Sequence, residues 1–238
     1  KGHCQPPSVC FRVGGVAEGA AGVGELLNHL VGKEMDYNGR PYTAHLWGND
    51  GLWDGSERML AGTRILGINS AETLDMTRAE IEGRYQLCWV MEKARELPGW
   101  ENCHLVDIAA AVGPRESHRI QAEHQLQRQE LLEGAGFDDA IGQGTYPVDV
   151  HNPEGEGTYF EELDGTWRLA ATGKETRHGR WDGQPLDAPK RDTLCYRMPY
   201  RCMIPTGLTN VLVAGRCSGA DRDAAAAVRV MVNCMQLG

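Results

Sequence analysis

The order of apolar and polar positions predicts strands and helices that follow each other irregularly along the chain. Apolar and β-branched runs bounded by Gly, Pro or polar residues predict strands. The run YPVDVH alternates like a half-buried strand, whereas CHLVDIAAAV is apolar over most of its length and predicts a buried one. The predicted strands are residues 9–13, a strand within 59–68, residues 103–112, 146–151 and 211–214, and an extended stretch at 196–204 with an edge or bulge at Pro199.

Helical spacing of apolar residues predicts four helices. The clearest is residues 77–96, where Thr77 and Glu80 are spaced as a capping box and Pro98 follows the end. Its predicted apolar stripe consists of Ile81, Leu87, Cys88 and Met91. The other helices are one within residues 18–31 with a glycine-rich start, residues 128–133 ended by Gly134, and the alanine-rich part of the tail.

Two stretches predict loops. Residues 38–58 are rich in turn-forming residues, and residues 152–190 shift to Gly, Glu, Asp and Pro, as in a long surface excursion. Strands and helices alternate too irregularly for a series of βαβ units, so the predicted class is α/β or α+β with a mixed sheet. A length of 238 residues allows one large domain or two small ones.

Composition and charge narrow the classes of function. A net charge of -9 without a compensating basic stripe argues against nucleic-acid binding. No apolar run approaches the ~18 residues of a membrane span. The eight cysteines include no C-x-x-C pair, and several lie in apolar company, which indicates a reducing, cytoplasmic compartment. The sequence does not determine the oligomeric state and is compatible with a homo-oligomer.

Common nucleotide and hydrolase motifs are missing from the sequence. The glycine-rich residues 14–24 do not satisfy G-x-G-x-x-G and predict a loop before a weak helix. There is also no G-x-x-x-x-G-K-[ST] and no G-x-S-x-G, which argues against P-loop and hydrolase functions.

The segment GPRESHRI at residues 113–120 is the first candidate for substrate binding. If it is extended, Arg115 and Arg119 lie on one face and can hold an anion bidentately, while Glu116 and His118 lie on the other. The alternative is a surface strand whose arginines pair with Glu116, Glu123 or the acidic excursion. Spacing alone slightly favours this alternative.

Asp149 and His151 place a carboxylate and an imidazole on one face of the predicted strand 146–151. Such a pair suits proton transfer or metal binding. No third ligand stands at helical spacing, so a hydrogen-bonded pair at a loop end is favoured over a metal site.

The tail from residue 210 joins a predicted strand, Gly215 and an alanine-rich helix. This order can bring backbone N–H groups close to a phosphate or a flavin, because Gly215 has no Cβ. Residues 228–231 lie where a helix can begin or continue. An alanine-rich helix packed on a core is an equally good interpretation of the pattern.

Several separate motifs, in order, resemble the FAD-dependent oxidoreductase family that is distantly related to the fumarate reductase and succinate dehydrogenase flavoproteins. The resemblance spans nearly the whole chain. The motifs are QPPSVCFRVGG at 5–15, PGWEN at 98–102, GPRESHRI at 113–120, FDDAI at 137–141, YPVDVH at 146–151, MPYRCMIP at 198–205 and LVAGRCS at 212–218.

The resemblance implies an FAD site to which the tail contributes. It implies that Gly215 and Arg216 approach the pyrophosphate and ribityl region and that Ser218 binds the cofactor. Backbone N–H groups of Arg229, Val230 and Met231 would face the N1–C2=O edge of the flavin ring and stabilise negative charge on the reduced ring. In such proteins the dinucleotide-binding loop belongs to an N-terminal Rossmann segment, which these residues lack.

We therefore expect part of a flavin-dependent oxidoreductase that transfers hydride between FAD and a small anionic or polar substrate. Residues 1–207 would form the substrate-side domain, and residues 208–238 would be the C-terminal strand and helix of a Rossmann-like FAD domain. Arg115 and Arg119 would orient the substrate, and His118 or His151 would move a proton. The alternatives are a non-catalytic binding or interaction module that retains the fold, and a metal-dependent hydrolase built on Asp149, His151 and other histidines.

Overall fold

The computed structural model describes residues 4–33, 35–37, 40–42, 45–52 and 55–238. The chain forms two compact units, Lys1–Pro114 with Pro153–Glu156, and Arg115–Asn152 with Gly157–Gly238. The predicted class, α/β or α+β, is confirmed, and every ladder between described strands is antiparallel rather than mixed. The domain boundary expected after residue 207 falls inside the second unit.

The first unit contains two helices, an antiparallel sheet of order β4-β5-β1-β6, and β2 and β3 as a separate pair. α1 packs against β4, and α2 packs against α1 and β2. Its core includes Leu26, Leu60, Ile65 and Trp100, which are fully buried. The elements are β1 (Cys10–Gly14), α1 (Val23–Leu30), β2 (Met35–Tyr37), β3 (Arg40–Tyr42), β4 (Trp47–Leu52), β5 (Glu57–Ala61), α2 (Thr73–Ala94) and β6 (His104–Ile108).

The helices of the first unit exist as predicted, but their beginnings differ. α1 begins only at Val23, because Gly19 has φ 73 and the residues before it form a loop. The capping box predicted at Thr77 is wrong: α2 begins four residues earlier, and the Thr77 hydroxyl donates to the Thr73 carbonyl inside the helix at 3.1 Å. Half of the predicted stripe faces the core, since Leu87 and Met91 are buried while Ile81 and Cys88 are exposed.

The burial predicted for the strand at residues 103–112 is wrong except at the two ends of the stretch, where Cys103 and Val112 are buried. The strand there, β6, lies at the end of the sheet and pairs with β1, and four of its five residues are exposed. Apolar residues such as Leu105 and Val106 therefore stay in contact with solvent. Of the loop predicted at 38–58, residues 38, 39, 43, 44, 53 and 54 lie outside the described residues, and most of the remainder forms strands.

The second unit contains a four-stranded antiparallel sheet, β11-β10-β9-β8, and a separate pair, β12-β7. Its core includes Leu131, Leu132, Tyr196 and Met198. The elements are α3 (Arg128–Glu133), β7 (Ala140–Gly144), β8 (Val148–His151), β9 (Thr158–Glu161), β10 (Thr166–Ala170), β11 (Arg177–Arg180), β12 (Tyr196–Pro199), two 3-10 helices (Tyr200–Met203 and Gly215–Cys217), α4 (Arg222–Val228) and α5 (Met231–Leu237).

Several local predictions are confirmed in this unit. α3 has the predicted bounds, and Gly134 ends it in the left-handed region at φ 69. The bulge expected at Pro199 is present as a register shift in the ladder between β12 and β7. The alanine-rich helix is α4, and the Asp221 carboxylate caps it by accepting from the Ala224 N–H at 2.7 Å.

The surface excursion predicted at 152–190 is wrong, because this stretch carries β9, β10 and β11. Aromatic and β-branched residues favour these strands, and the turn between β9 and β10 contains Asp164 and Gly165, the latter at φ 93. The strand expected at residues 211–214 is also absent from this described stretch. Val213 N–H donates to the Met203 carbonyl at 2.8 Å, while Val211 and Leu212 are exposed.

Among the described residues, no helix combines the length and the apolar character required to cross a lipid bilayer. All eight cysteines lie within the described residues, and each is a free thiol.

Candidate functional site

A cavity of about 580 Å³ lies in the second unit where the end of β7 meets the beginning of α5. Its volume is within the range of about 300–1,000 Å³ that small-molecule sites occupy. A depression of similar size near Arg191 and Arg197 contains none of the predicted site residues, whereas this cavity contains two. The cavity is lined by Gln143, Gly144, Thr145, Tyr146, Pro147, Cys195, Val230, Met231, Val232 and Asn233.

The joint between α4 and α5 forms one wall of the cavity. α4 ends at Val228, and Val230 is extended at φ -66 and ψ 150 before α5 begins at Met231. All five residues of α4 from 224 to 228 are buried, and four of them are alanine. Small side chains allow a helix to approach a sheet closely, and α4 packs against β8. The joint between α4 and α5 therefore places Arg229 next to β8.

Asp149 on β8 is the common partner of the polar side chains behind the cavity. The Tyr146 hydroxyl donates to Asp149 Oδ2 at 2.7 Å. Arg229 Nη2 donates to the Asp149 carbonyl at 3.0 Å and lies 3.3 Å from Oδ2. His151 Nε2 lies 3.3 Å from Asp149 Oδ1, and its Nδ1 lies 3.3 Å from the Thr158 hydroxyl. Asp149 and His151 are both buried, as their shared strand face predicts.

Charge and burial shift the pKa values of this cluster in opposite directions. Burial opposes ionisation of Asp149, but hydrogen bonding and charge from His151, together with Arg229 and Tyr146, outweigh it and lower its pKa from 3.8 to about 2. Burial, and then the Asp149 carboxylate, raises the pKa of Tyr146. At neutral pH the cluster therefore combines an ionised carboxylate with a protonated phenol.

The predicted substrate-binding segment is irregular rather than a strand across residues 114–120, all of them described. Arg119 Nη1 lies 3.6 Å from Glu116 Oε2, the partner named in the alternative interpretation. Glu116 is buried and also lies 3.3 Å from Arg222 Nη2. Arg115 is close enough to Tyr146 to oppose the rise of its pKa, whereas His118 is exposed. Only Arg115 of these residues is thereby tied to the cavity.

The other predicted cofactor residues surround the 3-10 helix Gly215–Cys217. Gly215 has φ 80, and a Cβ built there would lie 3.6 Å from Cys234 Sγ on α5. The Ser218 hydroxyl is turned back to donate to the Gly215 carbonyl at 2.8 Å, and Ser218 is buried. Arg216 is exposed. These residues therefore lie beside α5, at Cys234 rather than at the cavity.

Tyr146, at the centre of this arrangement, is not among the predicted site residues. The sequence predicts Asp149 as a partner of His151 for proton transfer or metal binding, but it does not predict the contacts of Asp149 with Tyr146 and Arg229. The sequence signal is weak, because Arg229, the partner that joins Asp149 to the cavity wall, stands 80 positions away. Within the described residues, no group of three or more His, Cys, Asp or Glu side chains is arranged to hold a metal ion.

Comparison with known proteins identifies the family of the chain. The family model described as FAD dependent oxidoreductase matches residues 1–238, the whole chain. No curated protein and no solved structure matches it.

Proposed function

Because the chain belongs to the FAD dependent oxidoreductase family, we propose that its α5 cavity holds the flavin ring during hydride transfer to or from a small substrate. The observation that carries this proposal is the cavity itself. It brings Val230 and Met231, the predicted ring contacts, next to Tyr146 and the charged cluster behind it.

The donors and apolar surface at the cavity fit a flavin ring. Met231 and Val232 are 78% and 67% exposed and form an apolar wall on which a planar ring can pack. The N–H groups of residues 231–233 precede the first bond of α5, from Cys234 N to the Val230 carbonyl at 3.0 Å. They can therefore donate to a ring carbonyl. The Arg229 N–H cannot, because it already donates to the Ala225 carbonyl at 3.0 Å.

Charged side chains lie close to the cavity. Arg115 and Arg229 both act electrostatically on Tyr146, and the ionised Asp149 lies beside Arg229. A guanidinium group near the ring would stabilise negative charge that develops on a reduced ring or on an anionic substrate. When bound, FAD accepts or returns a hydride at its ring, which is the redox chemistry that side chains do not supply.

The side chains of the chain would bind the substrate and move its proton. We propose that Arg115 orients an anionic or polar substrate beside the ring. Arg119 would also bind the substrate if it released its present partner, Glu116. His118 is exposed and can exchange a proton with solvent. His151 is buried behind Asp149, so it would act on the cavity through that carboxylate.

Residues 208–238 would then be the ring-side part of an FAD site. We propose that Gly215 and Arg216 approach the pyrophosphate and ribityl region of FAD and that Ser218 also binds the cofactor, although the sequence has no G-x-G-x-x-G. The distant relationship to fumarate reductase flavoproteins stays a prediction.

Two exposed methionines of α5 provide a matched test of the ring position. Met231 lines the cavity, and Met235 does not, although they are 78% and 77% exposed. Met231→Glu places a carboxylate against the proposed ring, so we expect at least about a tenfold loss of lumiflavin affinity, measured by fluorescence titration. Met235→Glu adds the same charge to the same helix and should bind lumiflavin like the unmodified protein.

Equal affinity in both variants would move the flavin ring away from this cavity. Thermal unfolding of both variants provides the stability control, because exposed substitutions normally change stability by only about 0.5 kcal/mol.

A further inference from the structure

The Tyr146 hydroxyl has a fixed direction of donation. It lies 2.7 Å from Asp149 Oδ2, and the carboxylate can only accept hydrogen bonds once it is ionised. The phenol is therefore the donor of this bond. Arg229 and His151 lie 3.3 Å from the carboxylate oxygens and keep Asp149 charged and in place.

The consequence for the cavity is that Tyr146 can accept but not donate. Its proton is committed to Asp149, while its oxygen retains lone-pair capacity. Among the described lining residues, Tyr146 and Cys195 are the titratable ones, and the Cys195 thiol contacts Gln143 Oε1 at 3.8 Å. A ligand that forms a hydrogen bond with the Tyr146 hydroxyl must therefore bring an N–H or O–H group of its own.

We propose that Tyr146 is a flavin-binding residue that accepts a hydrogen bond from the ring N–H at position 3. This inference rests on the proposed function. The oxidised isoalloxazine ring has a single N–H, at N3, and the other polar groups on its edges, N1, N5 and the two carbonyl oxygens, are acceptors. An acceptor-only phenol therefore recognises the N3 edge of the ring and repels the acceptor edges. Asp149 acts as a positioning residue that holds the phenol in this state.

A ligand analogue tests the hydrogen bond without disturbing the protein. Lumiflavin is the flavin ring without the ribityl chain, and its N3-methyl derivative lacks the N–H. The unmodified protein should bind N3-methyl-lumiflavin about tenfold more weakly than lumiflavin, which corresponds to about one hydrogen bond. In Tyr146→Phe this ratio should shrink by at least about threefold, because only the steric effect of the methyl group remains.

Tyr159→Phe is the matched control. Tyr159 also donates to a buried carboxylate, Glu161 Oε1 at 3.0 Å, but it does not line the cavity. Its substitution removes the same kind of bond from the same unit and should leave the ratio of the two affinities unchanged. Circular dichroism and thermal unfolding establish whether each variant is folded.

Three results would overturn the inference. Equal binding of the two lumiflavins by the unmodified protein would do so without any variant. An unchanged ratio in Tyr146→Phe, even with both affinities lowered, would show that the ring of Tyr146 only packs against the ligand. Absence of lumiflavin binding to the unmodified protein would remove the proposed function and this inference together, whereas Met231-dependent binding with an unchanged ratio would remove the inference alone.

Discussion

Replacing Asp149 by Asn tests whether one buried carboxylate holds the cavity wall together. The side chain is nearly isosteric, so the change removes charge and little volume. Arg229, whose side chain is only 12% exposed, would then keep its charge without a carboxylate beside it. Breaking a buried pair in this way typically costs about 3–5 kcal/mol, since the remaining ion is poorly solvated.

The pKa shift of Asp149 gives a second value for the contribution of this carboxylate to the free energy of unfolding. A fall from 3.8 to about 2 on folding corresponds to about 2.5 kcal/mol of stability at neutral pH. Because the folded-state pKa is the lower one, this contribution is present above about pH 4 and is lost as the pH falls towards 2. We therefore expect Asp149→Asn to lose about 2–4 kcal/mol at pH 7 and about 1 kcal/mol less than that at pH 3, where the carboxyl group of the unfolded chain is mostly protonated.

Urea unfolding at pH 7 and pH 3, followed by tryptophan fluorescence, measures this difference. Asp139→Asn is the control, because Asp139 forms a pair of the same type with Arg201 on the surface, with N–O distances of 3.0 and 3.1 Å. Because solvent screens the pair of Asp139 and Arg201, Asp139→Asn should lower the free energy of unfolding at pH 7 by much less than Asp149→Asn does. A loss in Asp149→Asn that is equal at both pH values would refute the electrostatic explanation and leave a change of packing.

The remaining predictions concern the glycine of the tail and the two arginines. Gly215→Ala should lower stability by about 1–2 kcal/mol, seen as a lower Tm, because φ 80 is unfavourable for a residue with a Cβ; an unchanged Tm would refute this cost, and flavin loss in the folded variant would support the cofactor contact proposed at Gly215. Arg115→Lys should lower kcat/KM by about 1.5–3 kcal/mol with little change in Tm, because lysine lacks the bidentate fork. Arg119→Lys should change kcat/KM equally if Arg119 binds substrate, and by at most about 1 kcal/mol if it serves only Glu116. Single-turnover flavin reduction measures both arginine variants.

Elements with local signals could be predicted from the sequence. α3 ends where Gly134 allows a left-handed residue, and α4 begins where Asp221 can cap it, so a few neighbouring residues determine these boundaries. The burial of β6 could not be predicted in this way, because it depends on the order of strands in the sheet. β9 to β11 were missed because an acidic, glycine-rich composition obscured short strands and the Asp-Gly turn that joins the first two.

The same distinction applies to the candidate site. Val230 and Met231, which the resemblance predicts as contacts of the flavin ring, line the cavity. The sequence indicates Asp149 as a partner of His151, but its link to the cavity wall depends on Arg229, which reaches it from a distant part of the chain. Arg119 shows the converse, since its side chain suits an anion clamp but the fold provides a buried carboxylate as its partner.

The five consecutive buried residues of α4 also bear on how such a cavity could be altered by mutation. None of the residues from 224 to 228 is exposed, so the size of their small side chains sets the distance between α4 and the elements packed around it. One added methylene there would move the joint before α5 and alter the approach of Arg229 to Asp149. Selection for a different ligand could therefore resize the pocket through residues that never touch what it binds.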